Sequence, residues 1–320
     1  MLSLNRNKFF CNSKKITLSL FLFCVLNQTK CNGASKNSSF KANCLDEKPQ
    51  IWIAHGQSNI QGEESQSSYT PGKRLPESIA MEFKTSSGLI PYDESNGTGI
   101  GEYNVPGYPN YVLAESKYHS WYYMFAKTYH ELTNKKVIAV PIYRGATSLT
   151  MQAALSSEPD KYWINNSSWP GLEAGYAKVN QARAALPNAE VYIYMYAGEY
   201  DAFALNSGDI SKANFKQQLR GHILDMIAQT GAKKVYASIM HDLASEDTFI
   251  SGVDLLEEVQ QELAQEMPKQ FVLVYPNSRS DLDPQHFHHT GDYIHLNANG
   301  IDRLGERAAL GIAQDLGCYP

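Results

Sequence analysis

The chain has 320 residues, and its apolar fraction of 43% is ordinary for a globular protein with a buried core. Its 28 basic and 33 acidic residues give a formal net charge of −5, which does not favour a nucleic-acid partner. This length allows one large domain or two small ones.

The N-terminal segment has the pattern of a secretory signal peptide. Basic residues precede a short apolar run at 16–26, and the first acidic residue is Asp46. The run is too short to cross a bilayer comfortably, and a basic start before such a run is typical of a signal peptide. We predict a signal peptide at 1–33, a flexible lead-in at 34–48 and one domain at 49–320. The mature protein is expected to be secreted or extracytoplasmic with no stable membrane span, and an uncleaved anchor is the alternative.

Two cysteines remain beyond the signal peptide and its immediate end. Cys44 and Cys318 lie near opposite ends of the predicted mature chain. The ends of a domain are often close in space, and an exported protein meets oxidising conditions. We therefore predict a disulfide between Cys44 and Cys318.

Strand-like and helix-like patterns alternate along most of the chain. Apolar runs predict five strands, at 50–54, 136–142, 190–196, 234–240 and 271–275. Helical periodicity follows the later strands, whereas 61–117 shows little periodicity and is predicted to form loops and short pieces near the site. Repeated strand–helix units indicate right-handed crossovers and a parallel sheet covered on both faces. The predicted fold is a three-layer α/β/α domain with a central, mainly parallel five-stranded sheet.

Candidate catalytic residues follow the predicted strands, where ligands bind in open α/β sheets. Ser58 comes just after the first strand, flanked by Gln57 and Asn59. A serine nucleophile needs a base and a group that orients the base. His295 is the strongest base candidate, with Asp292 three residues earlier to hold its ring. The alternatives are a simple polar turn at Ser58 and a structural histidine at His295.

Other strand ends carry further polar candidates. Gly145 can bring its backbone N–H close to a developing oxyanion because it has no side chain. Glu199 and Asp201 could form a carboxylate pair for acid–base chemistry, with a solvated loop pair as the alternative. His241, next to an aspartate, is a rival base.

A metal site and a cofactor are not expected. Histidines and aspartates recur between Asp281 and His289, but their spacing is irregular and no cysteine joins them. Aromatic residues are abundant and mostly suit packing, although Trp52 or Tyr143 could form a platform for a sugar ring.

Together these motifs resemble the SGNH hydrolase superfamily, in the branch of sialate O-acetylesterases and carbohydrate acetylesterases. Gly56-Gln57-Ser58-Asn59 is similar to the nucleophile motif, and Asp292-x-x-His295-Leu-Asn is similar to the closing motif. Gly145-Ala-Thr147 resembles a Gly-Gly-Thr turn, and Gly198-Glu199-x-Asp201 resembles a Gln-Gly-Glu-Ser-Asp motif. The resemblance covers residues 49–317, with four motifs in the family's order.

The resemblance implies a flavodoxin-like α/β/α fold and a metal-independent serine esterase that removes O-acetyl groups from carbohydrates. Its substrate would be acetylated sialic acid or an acetylated polysaccharide. The implied catalytic residues are Ser58, Asp292 and His295, and the backbone N–H groups of Ser58 and Gly145 would hold the oxyanion. Substrate contacts are expected from Gln57, Asn59, Arg144 and Glu199. The alternatives are an esterase for other short acyl esters and a catalytically weakened, carbohydrate-binding pseudoenzyme.

Four positions depart from the family pattern: Ile60 replaces a methionine, Tyr200 replaces a small serine, and the other two are Ala197 and Arg144. Ala197 stands where the family has a glutamine whose amide is expected to be the third oxyanion donor. Asn59, Gln57 or Arg144 could replace that donor. Arg144 itself stands where the family has a glycine, which narrows or charges the acyl pocket.

Overall fold

A computed structural model describes residues 44, 48–62, 74–94, 100–116, 119–242, 247–288 and 294–319. These residues all belong to one compact unit, Asn37–Pro320. The predicted signal peptide at 1–33 and nearly all of the lead-in lie outside the described residues, so the division of the chain stays a prediction. No helix in the described part of the chain is long and apolar enough to cross a membrane.

The centre of the described unit is one seven-stranded sheet. Its strands are β1 (Gln50–Gly56), β2 (Ala80–Lys84), β3 (Gly88–Pro91), β4 (Val137–Tyr143), β5 (Glu190–Tyr196), β6 (Val235–Ser238) and β7 (Phe271–Tyr275). They are ordered β3-β2-β4-β1-β5-β6-β7, and every neighbouring pair is parallel except β2 with β3. Within this order, β4-β1-β5-β6-β7 follows the 2-1-3-4-5 arrangement of flavodoxin-like folds. The predicted fold class is confirmed.

The predicted count of five strands is wrong, because β2 and β3 extend the sheet beyond β4. Both lie within 61–117, which was predicted to form loops and short pieces with no strand of the central sheet. They are five and four residues long, and β3 ends on Pro91. Such short strands at a sheet edge need no long apolar run, since only one side of β3 is paired.

Helices cover both faces of the sheet. The α-helices of the described residues are α1 (Ser58–Gln61), α2 (Tyr122–Thr133), α3 (Gly171–Ala185), α4 (Glu199–Ser207), α5 (Lys212–Thr230), α6 (Asp247–Glu266), α7 (Ser278–Asp281), α8 (Pro284–Phe287) and α9 (Ala298–Asp315). Ile51 and Ile53 of β1 face the core formed with α3, α5 and α6. Trp52 and Ala54 face the opposite core, formed with α2 and α9. The alternation of side chains along β1 therefore builds the three predicted layers.

The core beneath α2 and α9 is aromatic. Trp52 stacks on Tyr192 with ring centroids 5.0 Å apart and meets Phe125 edge-on at 5.0 Å. Trp52 and Tyr143 are both 0% exposed. The suggestion that either ring forms a sugar platform is therefore wrong, because neither can reach a substrate.

The predicted disulfide between Cys44 and Cys318 is confirmed. The two sulfur atoms are bonded, and the Cα atoms lie 5.6 Å apart. The bond joins the segment before β1 to the chain just after α9, and so ties together the two ends of the described unit.

Candidate active site

The site lies where β1 ends between its two neighbours. Gly56 is in register with Tyr143 of β4 on one side and with Tyr196 of β5 on the other. The chain passes from β1 to the β2–β4 side of the sheet and later crosses to the β5 side. This reversal of strand order opens a crevice at the carboxyl ends of the strands, where ligands of doubly wound sheets bind.

Gly56 makes the sharp turn into α1 possible. Its φ is 154°, and a Cβ atom at this position would lie 2.0 Å from the carbonyl oxygen of Tyr196. No side chain fits in that space, so only glycine allows β1 to approach β5 and then turn. The turn places Ser58 at the first residue of α1.

Ser58 and His295 meet in this crevice, as their pattern predicts. Ser58 Oγ and His295 Nε2 lie 2.8 Å apart, although the residues are 237 positions apart in sequence. Ser58 is buried and His295 is half-buried. Hydrogen-bond contact between a serine hydroxyl and an imidazole nitrogen is the geometry that proton transfer requires.

The segment with His295 is fixed by the start of α9. Asn297 is the N-cap of this helix, and its side chain accepts a hydrogen bond from the backbone N–H of Gly300 at 3.0 Å. Asp292, the predicted partner of His295, lies outside the described residues. Its role stays a prediction.

Asn59 connects the serine turn to the histidine segment. Its Nδ2 donates to Glu199 Oε1 at 2.9 Å and to the carbonyl of Ile294 at 3.1 Å. Its Oδ1 accepts from the backbone N–H of Leu296 at 2.8 Å. Both amide hydrogens of Asn59 are thus used, and the side chain is not an open oxyanion donor in this structure.

Glu199 and Asp201 are buried at the start of α4 and are not a solvated loop pair. Burial raises the pKa of Glu199, which is 1% exposed and binds Asn59. Burial also raises the pKa of Asp201 to about 6. Asp201 accepts from the backbone N–H groups of Leu149 and Thr150 at 2.8 and 3.0 Å. Each carboxylate therefore holds a loop beside the crevice.

The two backbone N–H groups predicted to bind the oxyanion, those of Ser58 and Gly145, are not equally free to do so. The N–H of Ser58 precedes the first hydrogen-bonded turn of α1 and has no partner within the helix. The N–H of Gly145 donates to Gln61 Oε1 at 2.7 Å, while Gln61 Nε2 donates to the carbonyl of Glu115 at 2.7 Å. Gly145 could therefore bind an oxyanion only by exchanging this partner.

Ala197 is a buried apolar residue and supplies no side-chain donor. Gln57 is buried, with its Oε1 accepting from the N–H groups of Gly198 and Glu199 at 2.9 and 3.2 Å. Its Nε2 is buried and has no hydrogen-bond partner among the described residues. Arg144 is half-buried and donates to the carbonyl of Leu113 at 3.3 Å.

His241 is not a free base at this edge of the sheet. Its Nε2 lies 2.9 Å from the carbonyl of Ile294, and its Nδ1 is hydrogen-bonded to the hydroxyl of Tyr196. Both ring nitrogens are engaged, which contradicts its suggested role as a rival base.

A buried histidine pair between β1 and α5 is a feature that the sequence did not predict. His55 Nε2 lies 2.9 Å from His222 Nε2, and His55 Nδ1 contacts the carbonyl of Ile142 at 3.1 Å. Burial lowers the pKa of His55 to about 4 and lowers that of His222 well below its ordinary value. Both rings are therefore neutral at neutral pH, and the pairing could not be read from positions 167 residues apart.

Among the described residues, no group of three or more histidine, cysteine, aspartate or glutamate side chains is arranged to hold a metal ion. His286 pairs with Asp283 at 2.8 Å, and Asp281 pairs with Arg303 at 2.8 Å. His289, part of the same cluster in sequence, lies outside the described residues.

Solved structures match this chain over most of its length. A protein from Arabidopsis thaliana is 15% identical, with 84% of this chain and 98% of that chain covered and a TM-score of 0.57. NanS is 12% identical, with 84% and 98% covered and a TM-score of 0.52. A carbohydrate acetylesterase from Xanthomonas citri is 14% identical, with 83% and 56% covered and a TM-score of 0.49. No protein-family model and no curated protein matches the sequence.

The sheet order, the serine turn after β1 and the first two of these likenesses define the class of fold. The chain has an SGNH hydrolase-like fold, as its motifs predict.

Proposed function

We propose that this protein is a secreted serine esterase that removes O-acetyl groups from carbohydrates through an acyl-enzyme. The observation that carries the proposal is the 2.8 Å separation of Ser58 Oγ and His295 Nε2 at the carboxyl edge of the sheet. The serine, glycine and histidine motifs resemble those of sialate O-acetylesterases and carbohydrate acetylesterases, and this resemblance supports an acetylated sugar as the substrate.

In the proposed reaction, Ser58 Oγ attacks the acetyl carbonyl carbon while its proton passes to His295 Nε2. The carbonyl oxygen becomes an oxyanion, which the N–H of Ser58 stabilises. His295 then gives the proton to the departing sugar oxygen, leaving an acetyl group on Ser58. Water activated by His295 attacks this ester, and acetate leaves as Ser58 regains its proton. Asp292 is proposed to orient the imidazole.

Arg144 is the proposed substrate contact that a ligand can reach most readily. It is half-buried, whereas Gln57, Asn59 and Glu199 are each 2% exposed or less. Asn59 donates to Glu199, and Gln57 accepts from the backbone N–H groups of residues 198 and 199. These three side chains would therefore act on the substrate by shaping the crevice.

Substitution of the serine tests the proposal. Ser58→Ala should lower the rate of acetate release from an activated acetate ester by at least about 10³-fold, because the nucleophile is lost. The assay should be repeated with acetylated sialic acids, xylan and pectin, and with butyrate esters. Preference for acetate over butyrate supports the sugar esterase over an esterase for longer acyl groups.

The control is thermal unfolding of the variant, which should stay close to that of the wild type because only one oxygen is removed and His295, being half-buried, can bind water instead. An unchanged rate in Ser58→Ala would end the assignment of this serine.

A second candidate is a carbohydrate-binding protein with weakened catalysis. It is favoured by two features of the oxyanion region, the apolar Ala197 and the engagement of the Gly145 N–H by Gln61. Loss of a single oxyanion donor can cost about 10²–10³ in rate. Glycan binding measured by calorimetry in the absence of acetate release would favour this candidate.

A further inference from the structure

We propose that His241 is a positioning residue that fixes the backbone beside His295 from the end of β6. The inference rests on the proposed function, because the position of His295 matters to a reaction only if it serves as the base for Ser58. His241 is hydrogen-bonded to Tyr196 and to the carbonyl of Ile294, and the mechanism above does not use this histidine.

The carbonyl of Ile294 receives hydrogen bonds from two different strand ends. Asn59 Nδ2 donates from the turn after β1 at 3.1 Å, and His241 Nε2 contacts the same oxygen at 2.9 Å from the segment after β6. On the other side of His295, the N–H of Leu296 donates to Asn59 Oδ1 at 2.8 Å. The residues before and after His295 are thus both held.

The protonation of His241 follows from its partners. A carbonyl oxygen can only accept, so Nε2 carries the proton, and in the neutral imidazole Nδ1 then accepts from the hydroxyl of Tyr196. The same hydroxyl accepts from the backbone N–H of His241 at 3.2 Å. Burial raises the pKa of Tyr196 well above its ordinary value, so this hydroxyl keeps the proton that it donates. Tyr196 therefore selects the tautomer that can hold Ile294.

Packing fixes the direction of the His241 ring. His241 is 0% exposed, and its ring is stacked on that of Tyr196 with an angle of 16° between the two ring planes. On another side it meets His288 edge-on, with ring centroids 4.6 Å apart. His288 also pairs with Leu296 through an isolated β-bridge. The ring and the His295 segment consequently form one packed unit.

The reaction rate depends strongly on the position of the catalytic base, because displacing a catalytic group by about 1 Å can lower the rate about 10²-fold. His241→Phe keeps a flat ring against Tyr196 and His288 but removes the donor to Ile294. We expect kcat for an acetate ester to fall at least about tenfold, with KM within about twofold. His241→Gln, which can still donate an N–H, should recover most of the lost kcat.

Tyr194→Phe is the matched control. It removes a buried hydroxyl that hydrogen-bonds Ser238 at 2.7 Å on the same face of the sheet, away from Ile294. This variant should lose stability comparable to that of His241→Phe and keep its kcat. If His241→Phe does not fold, Tyr196→Phe replaces it. Without the Tyr196 hydroxyl, nothing fixes the proton of His241 on Nε2, so this variant should also lower kcat.

A crystal structure of His241→Phe gives a readout that does not depend on turnover. The expected change is a shift of residues 294–296 that takes His295 Nε2 beyond hydrogen-bonding distance of Ser58 Oγ. Unchanged coordinates there, or a wild-type kcat, would overturn the proposal. If the wild type releases no acetate from any ester, the proposed function fails, and the variant structure still decides whether His241 holds this segment.

Discussion

At the scale of single residues, the crevice depends on Gly56, which has no side chain where β1 meets the carbonyl of Tyr196. Its neighbour two positions on is Ser58, so any shift of the backbone at Gly56 moves the hydroxyl relative to His295. The conformational freedom of one glycine thus sets the separation of the two groups that are proposed to react.

Gly56→Ala should lower the free energy of unfolding by about 2–4 kcal/mol, from backbone strain and the clash of the new Cβ. The Cβ would lie 2.0 Å from the Tyr196 oxygen, at a φ of 154°. Urea unfolding measures the change. Gly221→Ala is the control, because this helical position has no heavy atom within 4 Å and should gain about 0.5–1 kcal/mol. Equal urea midpoints for Gly56→Ala and the wild type would contradict the argument.

The site was predictable where its residues lie next to the ends of long elements. Ser58 comes just after β1 and His295 just before α9, and the structure brings them into contact. The engagement of the Gly145 N–H by Gln61 was not predictable, because it depends on the side-chain conformation of a residue in α1, far from Gly145 in sequence. The same holds for His241, whose neighbours in space come from β5 and from the segment before α9.

At the scale of elements, α9 and α2 form one layer through close contact. Gly305 lies against this contact, and a Cβ there would be 2.5 Å from the carbonyl of Trp121. At the edge of the same layer, His119 bridges two carboxylates, Glu94 at 3.2 Å and Asp302 at 2.5 Å. The buried imidazole joins the segment after β3, the start of α2 and α9.

The His119 bridge predicts a dependence of stability on pH. Burial alone lowers the pKa of His119, but the hydrogen bonds with Asp302 and Glu94 and the negative charges of these carboxylates together raise it by more, so the net pKa lies above its ordinary value of 6.5. The folded protein therefore binds this proton more tightly than the unfolded chain. The stabilisation is fully present below about pH 6.5 and is lost as the pH rises through the raised pKa.

We expect the difference in free energy of unfolding between the wild type and His119→Gln to be larger at about pH 6 than at about pH 9. Urea unfolding at the two pH values measures it. His286→Gln, which removes an imidazole that is 68% exposed, is the control and should show little difference. A gap that stays constant or widens at high pH would show that His119 does not carry the charge in the bridge.

Among the elements, those with long patterns were predicted and those with short ones were not. The five core strands and the final helix follow continuous apolar runs or a clear helical stripe, and Ile301, Leu304, Ala308 and Ile312 are all buried as predicted. Strands β2 and β3 lack such patterns, because pairing with β4 and with each other stabilises them at the edge.

At the scale of the whole molecule, the disulfide between Cys44 and Cys318 joins residues 274 positions apart. Closing so long a segment restricts the unfolded chain, and loss of a native disulfide of this kind costs about 2–5 kcal/mol. The variant with both cysteines changed to alanine should unfold at a correspondingly lower urea concentration than the oxidised wild type. The wild type under reducing conditions should behave as the variant does. Coincident curves for the variant and the oxidised protein would show that the bond adds no stability.

The same bond turns the described unit into a covalent ring that includes both Ser58, near its beginning, and His295, near its end. In an open chain, one cut by a protease between them would produce two separable fragments. In the ring, one cut yields a single linear molecule, in which the serine and the histidine segments remain attached. Such a nicked protein would run as one species on a non-reducing gel and as two after reduction. The fragments that carry Ser58 and His295 could separate only after the disulfide is broken.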